Sequence, residues 1–495
     1  MRRVKQIISK NGRFFLDYIK FNNYISTQNV DVKEIKTDNR QCVVVLPWMG
    51  TAVSWYAITM ALMLNRQGQD VFILLDDIPF GDDELFHKVQ SKLIYRILNK
   101  TKLPFKLLSN YKDSNSINDD VLNQLSELNS LHYTKGETNK ELRTVYEKKI
   151  LRQLSNIYTK QETFFINESF SQIILPGGIW GSSGISSFFA KKNNVQLTTY
   201  DSGEGLLLLS IFGVAAQLND IPYSFNKVME SQDEKKFAIE KGKEQLQKRR
   251  NGQDMYQHFG NPKGLADIPK DYYLILLNSV WDSAALGLHT VYESMIDWIL
   301  DSIKWVLENT DKKIIIRQHP AERASHINNT DDYGTKIQDK FSKNERVIFI
   351  EAKNDVNTYE LIENSLCVLG FSSTSIVEAV ALGKTAIIVS STYYADFGIV
   401  YNANTKKEYY DYLLKASTPS LDVTEEMRDR AYVCNYITQS CNWVKTEFTP
   451  NRNDFLKWSK QNIEELEKDY LPLKAILEDI PFSMLQHRRK FNDSK

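Results

Sequence analysis

Short apolar runs that stop abruptly in polar chemistry constrain this chain more than any other feature. Ile314-Ile315-Ile316 leads into Arg317-Gln318-His319-Pro320, and Ser365-Leu366-Cys367-Val368-Leu369-Gly370 leads into Phe371-Ser372-Ser373-Thr374-Ser375. Apolar, β-branched runs this short read as buried strands, and Pro320 ends the first by removing a ladder donor. The second opens a helix whose first turn is rich in hydroxyls, closes between Ala379 and Gly383, and returns as a strand over residues 384–389. Hydroxyls at a helix start cap free amides, and those amides, with the positive end of the dipole, can hold a phosphate. The pattern is strand, ligand corner, helix, strand, which predicts a parallel α/β unit with its site where two neighbouring strands end.

Earlier residues repeat the theme. A strand over 41–46 is followed by the turn Pro47-Trp48-Met49-Gly50-Thr51, a helix over 52–66 and a strand over 70–75, which is one βαβ unit. Gly50 lets the backbone approach something closely. No GxGxxG follows the strand, so a dinucleotide is not signalled. Residues 82–165 read as a polar helical insertion. Strands over 171–176 and 196–200 flank a helix over 182–192, and the latter strand delivers Asp201-Ser202-Gly203-Glu204-Gly205 to a turn before an apolar helix over 206–218. A solvated, charged helix is expected over 225–252. Asn261-Pro262-Lys263-Gly264 and Ile268-Pro269 look like a linker. The second α/β domain then opens with a strand over 272–277, the loop Asn278-Ser279-Val280-Trp281-Asp282 and a long helix reaching Leu307.

The expected organisation is an amphipathic helical segment (1–38), a first Rossmann-like domain (39–265), a second (270–420), and C-terminal helices (421–495) packing back on the first. A chain of 495 residues is too long for one ordinary core, which agrees. Lys plus Arg equals Asp plus Glu, at 62 each, which argues against nucleic-acid binding through bulk positive charge. Cys42, Cys367, Cys434 and Cys441 lack CxxC spacing, and a reducing cytoplasm fits them best. No apolar run reaches the roughly 18 residues that would span a bilayer. Residues 1–20 alternate basic and apolar side chains. They suit either an amphipathic helix on anionic lipid at the inner face of the membrane or a helix packing one face on the body.

For the chemistry, His319 directly follows a buried strand, where a partly charged imidazole can donate to a phosphate oxygen; the other reading is a structural histidine. Ser372, Ser373, Thr374 and Ser375 supply hydroxyls and capped amides, or simply an N-cap. Glu378 lies one turn into that helix, and Asn278, Trp281 and Asp282 reach the same rim, although Trp281 also suits a core. Asp-x-Asp is absent and no His, Cys or carboxylate cluster has ligand spacing, so no metal and no cofactor are expected.

Arg-Gln-His-Pro-Ala-Glu at 317–322 and Ser-Ser-Thr-Ser-x-x-Glu-Ala at 372–379 resemble the bacterial capsular polysaccharide biosynthesis glycosyltransferases of the Kdo-transferase type. They are also similar to the His-Pro and Ser/Thr motifs of bacterial sialyl- and polysialyltransferases. Matching motifs cover about residues 270–390; the first half resembles the family mainly by layout.

The resemblance implies a GT-B architecture, two Rossmann-like domains facing across a cleft, and a nucleotide-sugar donor, with CMP-Kdo or CMP-sialic acid favoured. The acceptor would be a saccharide or glycolipid. Arg317, His319, Pro320 and Glu322 would form the phosphate corner with residues 372–375, and Glu378 would accept from ribose hydroxyls. Trp48, Gly50 and Thr51 would face the acceptor. Asp201, or else Glu204, would be the base, Asp201-Ser202-Gly203 loosely resembling an acidic-acidic-glycine motif from which Ser202 departs. Two rival readings are a teichoic-acid-type polyol-phosphate transferase, whose usual Asp-Tyr-Ser-Ser is Gly-Phe-Ser-Ser here, and a catalytically silent sugar- or nucleotide-binding protein on the same fold.

Overall fold

The computed structural model describes residues 2–28, 32–33, 41–51, 53–81, 84–203, 206–253, 268–323, 331–342, 344–418, 420–445 and 462–495. In chain order its strands are β1 (Cys42–Leu46), β2 (Val71–Leu75), β3 (Phe105–Leu107), β4 (Gln172–Pro176), β5 (Gln196–Gly203), β6 (Leu206–Ser210), β7 (Tyr272–Leu276), β8 (Ile314–Arg317), β9 (Val347–Ile350), β10 (Ser365–Gly370), β11 (Thr385–Ile388), β12 (Tyr401–Asn402) and β13 (Val444–Lys445). They form two sheets, ordered β13-β6-β5-β4-β1-β2-β3 and β12-β11-β10-β7-β8-β9.

Read from β9, the second sheet is parallel throughout and runs 3-2-1-4-5-6 in its own strand count, the doubly wound order of Rossmann folds. The first sheet has the same parallel arrangement from β3 to β5. Helices cover both faces of such sheets, which is why β1, β2, β4 and β7 are uninterrupted buried runs rather than alternating ones. Two Rossmann-like units in one chain are the domain set of the GT-B fold.

The chain divides into one unit of Met1–Asn129, Glu147–Asp220 and Asn442–Gln486, and another of Ser130–Tyr146, Ile221–Cys441 and His487–Lys495. The second unit therefore begins at Ile221 rather than near residue 270. Helices Ile221–Glu230 and Gln232–Arg250 belong to it, broken by Ser231, whose hydroxyl caps the second by accepting from the Glu234 amide. One face of Gln232–Arg250 is solvated as expected, with exposed Lys241–Glu244 and Lys243–Glu240 pairs. The other buries Ala238, Gly242 and Leu246, and Gly242 sits so close to the Tyr432 carbonyl that a Cβ there would lie 2.1 Å from its oxygen. The expected linker at 261–264 lies outside the described residues.

Segment 130–146 of the helical insertion also joins the second unit. The Glu137 carboxylate accepts from the Met295 and Ile296 amides at 3.2 and 2.7 Å, and from the Tyr333 hydroxyl at 3.1 Å. It thereby caps helix Met295–Asn309 from more than 150 positions away. That helix starts at Met295, not directly after Asp282, because Ser294 also caps it through the Asp297 amide and residues 278–294 form turns.

The apolar run after Asp201 is not a helix. Leu206–Ser210 pairs antiparallel with β5, Asp201 opposite Leu208, and β13 adds to its other edge. Four successive leucines carry no period that separates a buried strand from a buried helix, and here pairing on both edges decides.

Chain segment 442–486 returns to the first unit, where Tyr470 and Tyr56 hydroxyls meet at 3.2 Å and Arg66 pairs with Glu467 at 2.6 Å. Helix Glu425–Tyr436 stays with the second unit. The N-terminal helix Arg2–Thr27 buries Phe14, Phe21, Tyr24 and Ile25 in the first core and leaves Leu16 60% and Ile19 53% exposed. Among the described residues no helix is long and apolar enough to cross a membrane, and all four cysteines are buried, free thiols.

Candidate active site

In the second sheet the order of connection reverses between β7 and β10, the switch point at whose carboxyl ends open α/β sheets bind their ligands. One bond pins the two loops: the Asn278 side-chain oxygen accepts from the Ser372 amide at 3.1 Å. Ser373 caps helix Thr374–Ala381 by accepting from the Ser375 amide, and its carbonyl accepts from Tyr394. Thr374 and Ser375 are half-exposed at the helix start. The Ser372 hydroxyl is buried and makes no hydrogen bond among the described residues. A buried hydroxyl without a partner at the start of a helix is what a bound oxyanion would satisfy.

The His319 corner is not on the adjoining strand. β7 lies between β8 and β10, setting the corners two strand spacings apart, about 9–10 Å. They are level, however. Ile316, Ile275 and Leu369 are in register, and His319 and Ser372 each stand three residues beyond that line.

Three expectations for this corner change. Arg317 is 2% exposed, and its guanidinium donates to the carbonyls of Glu351 and Asn354, so it latches the loop after β9 instead of facing a ligand. His319 keeps part of its surface at the strand end, but desolvation and the positive charges of Arg317 and Arg249 hold its pKa down to about 4, so the imidazole is neutral rather than partly charged. Glu322, in a short 3-10 turn begun by Pro320, accepts from Ser279 at 3.2 Å and Gln318 at 2.6 Å, bracing the corner from behind.

Glu378 also differs. It is 2% exposed, ion-paired to Arg249 at 3.0 Å and bonded to the Tyr359 hydroxyl at 3.0 Å, so it is engaged inside the protein rather than presented to a ribose. Arg249 and Tyr359 escaped the reading of the motifs. The signal for Arg249 was present in helical spacing: Ala238, Gly242 and Leu246 mark the packed face, and three residues on, that face holds Arg249 among Lys248-Arg249-Arg250.

Trp281 packs partly against the second core, with the Lys135 ammonium 4.1 Å from its ring centroid and His132 edge-on to it. Asp282 is exposed and caps a turn through the Ala284 amide.

In the first unit, Trp48, two residues past β1, has φ of 56°, an uncommon left-handed conformation for an aromatic residue. It lies against Gly177, where a Cβ would come within 2.8 Å of the indole. These loops follow β1 and β4, the corresponding reversal point of the first sheet. Gly50 lies equally close to Gln90, and the Thr51 hydroxyl is turned to the Val53 amide at the start of helix Val53–Arg66. Asp201 stands one residue past Tyr200, where parallel pairing with β4 ends, and is half-buried on the hairpin. Glu204 lies outside the described residues. Among the described residues no group of three His, Cys, Asp or Glu side chains is placed to hold a metal ion.

Two doubly wound units, the second with a hydroxyl-lined helix start at its reversal point, define a protein of the GT-B class. Residues 222–438, slightly under half of the chain, match the capsule polysaccharide biosynthesis protein family. No curated protein matches the chain. Among solved structures it is similar to the β-Kdo 2,7-transferase of Thermosulfurimonas dismutans KpsC, at 12% identity over 57% of this chain and 80% of that one with a TM-score of 0.32. The β-Kdo 2,4-transferase of the same protein gives 13%, 53%, 79% and 0.34. Acinetobacter baumannii MurG gives 8%, 80%, 95% and 0.27.

Proposed function

We propose that this protein is a glycosyltransferase of capsule polysaccharide synthesis that takes a sugar from a nucleotide-activated donor and passes it to a growing saccharide or glycolipid. The observation that carries the reading is the reversal point between β7 and β10, where the orphan Ser372 hydroxyl and the half-exposed start of helix Thr374–Ala381 lie level with His319. In this reading the hydroxyls of 372–375, with the positive end of the helix they begin, hold the donor phosphate. Neutral His319 donates one hydrogen bond to the departing nucleotide, whose negative charge grows as the glycosidic bond breaks. Asp201 serves as the base for the acceptor hydroxyl. No metal is assigned a role; helix dipole and fixed donors supply the stabilisation. The motif resemblance favours CMP-Kdo or CMP-sialic acid. Work at the cytoplasmic face of the membrane, with the exposed Leu16 and Ile19 touching lipid, is part of the same proposal.

Purified protein incubated with CMP-, UDP- and GDP-sugars is expected to hydrolyse one nucleotide class slowly without acceptor. Binding without any donor consumption would favour the silent-protein reading, and preference for CDP-glycerol the polyol-phosphate reading.

A pH profile tests His319 separately. Its folded pKa of about 4 lies below the ordinary value of 6.5, so the neutral form prevails throughout pH 5–8 and gains a proton only as pH falls through about 4. The kcat/KM for donor should therefore show no histidine limb near pH 6.5, and a limb there that vanishes in His319→Gln would contradict the assignment.

A further inference from the structure

Neither Arg317 nor His319 brings a positive charge to the donor site as read above. A nucleotide phosphate is negative at neutral pH, Arg317 is turned into the loop after β9, and His319 is neutral. A guanidinium from outside both strand-end motifs lies in this neighbourhood. Arg249, in the last turn of helix Gln232–Arg250, places Nε 3.0 Å from the Glu378 Oε1 and Nη1 3.3 Å from the Gln439 Oε1, with its side chain 17% exposed. Glu378 is four residues into helix Thr374–Ala381, about 6 Å along the axis from its first residue. That sets the carboxylate holding the guanidinium about one helical turn from the start of the helix.

We propose that Arg249 is the phosphate-binding cation of this site, and that Glu378 holds it in position until the donor arrives. This rests on the donor-site reading above. A guanidinium suits the role because its planar fork bonds a carboxylate and a phosphate through different N–H groups at once. Glu378 is not stranded if Arg249 shifts toward the ligand, because Tyr359 still donates to its Oε2 at 3.0 Å. The arrangement also accounts for an acidic residue buried four positions into a helix whose amino end is meant for an anion: the acid is neutralised locally, and the cation it orients faces the same end. Gln439, 8% exposed, fixes the other side of the fork.

The test compares nucleotides with their nucleosides by calorimetry on the full chain: CMP and cytidine, UMP and uridine, GMP and guanosine. Wild-type protein is expected to bind one monophosphate well above its nucleoside. Arg249→Gln should erase about tenfold or more of that ratio while leaving nucleoside affinity unchanged, and Arg249→Lys should keep part of it. Because Arg249→Gln leaves Glu378 buried without its cation, Arg249→Gln combined with Glu378→Gln is measured as well. It removes both charges, should melt close to wild type, and should show the same loss. A wild-type ratio retained in both variants overturns the role of Arg249 and leaves the donor site standing. Wild-type protein that binds no nucleotide overturns the donor site, and the inference with it.

Discussion

Replacing His319 by alanine is expected to slow sugar transfer by a factor of about 10²–10³ while the protein stays folded. The imidazole stands at the end of β8, in line with Ser372 across β7, where a leaving nucleotide would develop charge. As a neutral group it offers one N–H of fixed direction, and removing a single preorganised donor from such a position has a cost of that order. The loss should fall on kcat more than on KM, because the bond strengthens as charge develops. Glutamine, which also offers an N–H, should restore part of the rate. Steady-state kinetics beside a melting curve check this, and near-normal turnover in the alanine variant removes His319 from the mechanism.

Arg317 should behave in the opposite way. From its place in the motif it reads as a phosphate ligand, whose loss would abolish activity in an intact fold. Its position instead predicts a folding defect: Arg317→Ala removes the charged donor from two part-buried hydrogen bonds, to the carbonyls of Glu351 and Asn354, and opens a space at the end of β8. Hydrogen bonds to charged groups contribute about 1.5–3 kcal/mol each, so a loss of about 3 kcal/mol from the second unit is expected in urea unfolding. Arg317→Lys should rescue little, since one ammonium does not span both carbonyls as the fork does. Full stability with lost nucleotide binding would return Arg317 to the ligand.

The two arginines mark how far the motifs could be read. Arg317 sits inside Arg-Gln-His-Pro and faces the protein; Arg249 sits in an unremarkable charged helix and faces Glu378. A side chain at a strand end has two directions open to it, and the choice depends on which distant carbonyls or carboxylates the fold brings near. Glu137 makes the same point. Nothing local announces that it caps Met295–Asn309, yet that contact moves a piece of the insertion from one unit to the other.

Where local signals sufficed, they did so closely. β10 runs over the residues its apolar pattern delimits, and Ser373 caps the helix that the hydroxyl cluster announces. The Leu206–Ser210 run failed because four leucines satisfy either period, and the pairing partners that settled it lie on strands at Gln196–Gly203 and Val444–Lys445.

The sequence by itself therefore determined the alternation of buried strands and helices, the two Rossmann-like units, and the polar corners at their strand ends, because burial and capping act between residues close in the chain. The tertiary structure decided strand adjacency, the membership of 130–146 and 221–250, the neutral state of His319, and which arginine meets which oxygen. Those depend on pairing, desolvation and charge between groups far apart in sequence, and no local pattern encodes them.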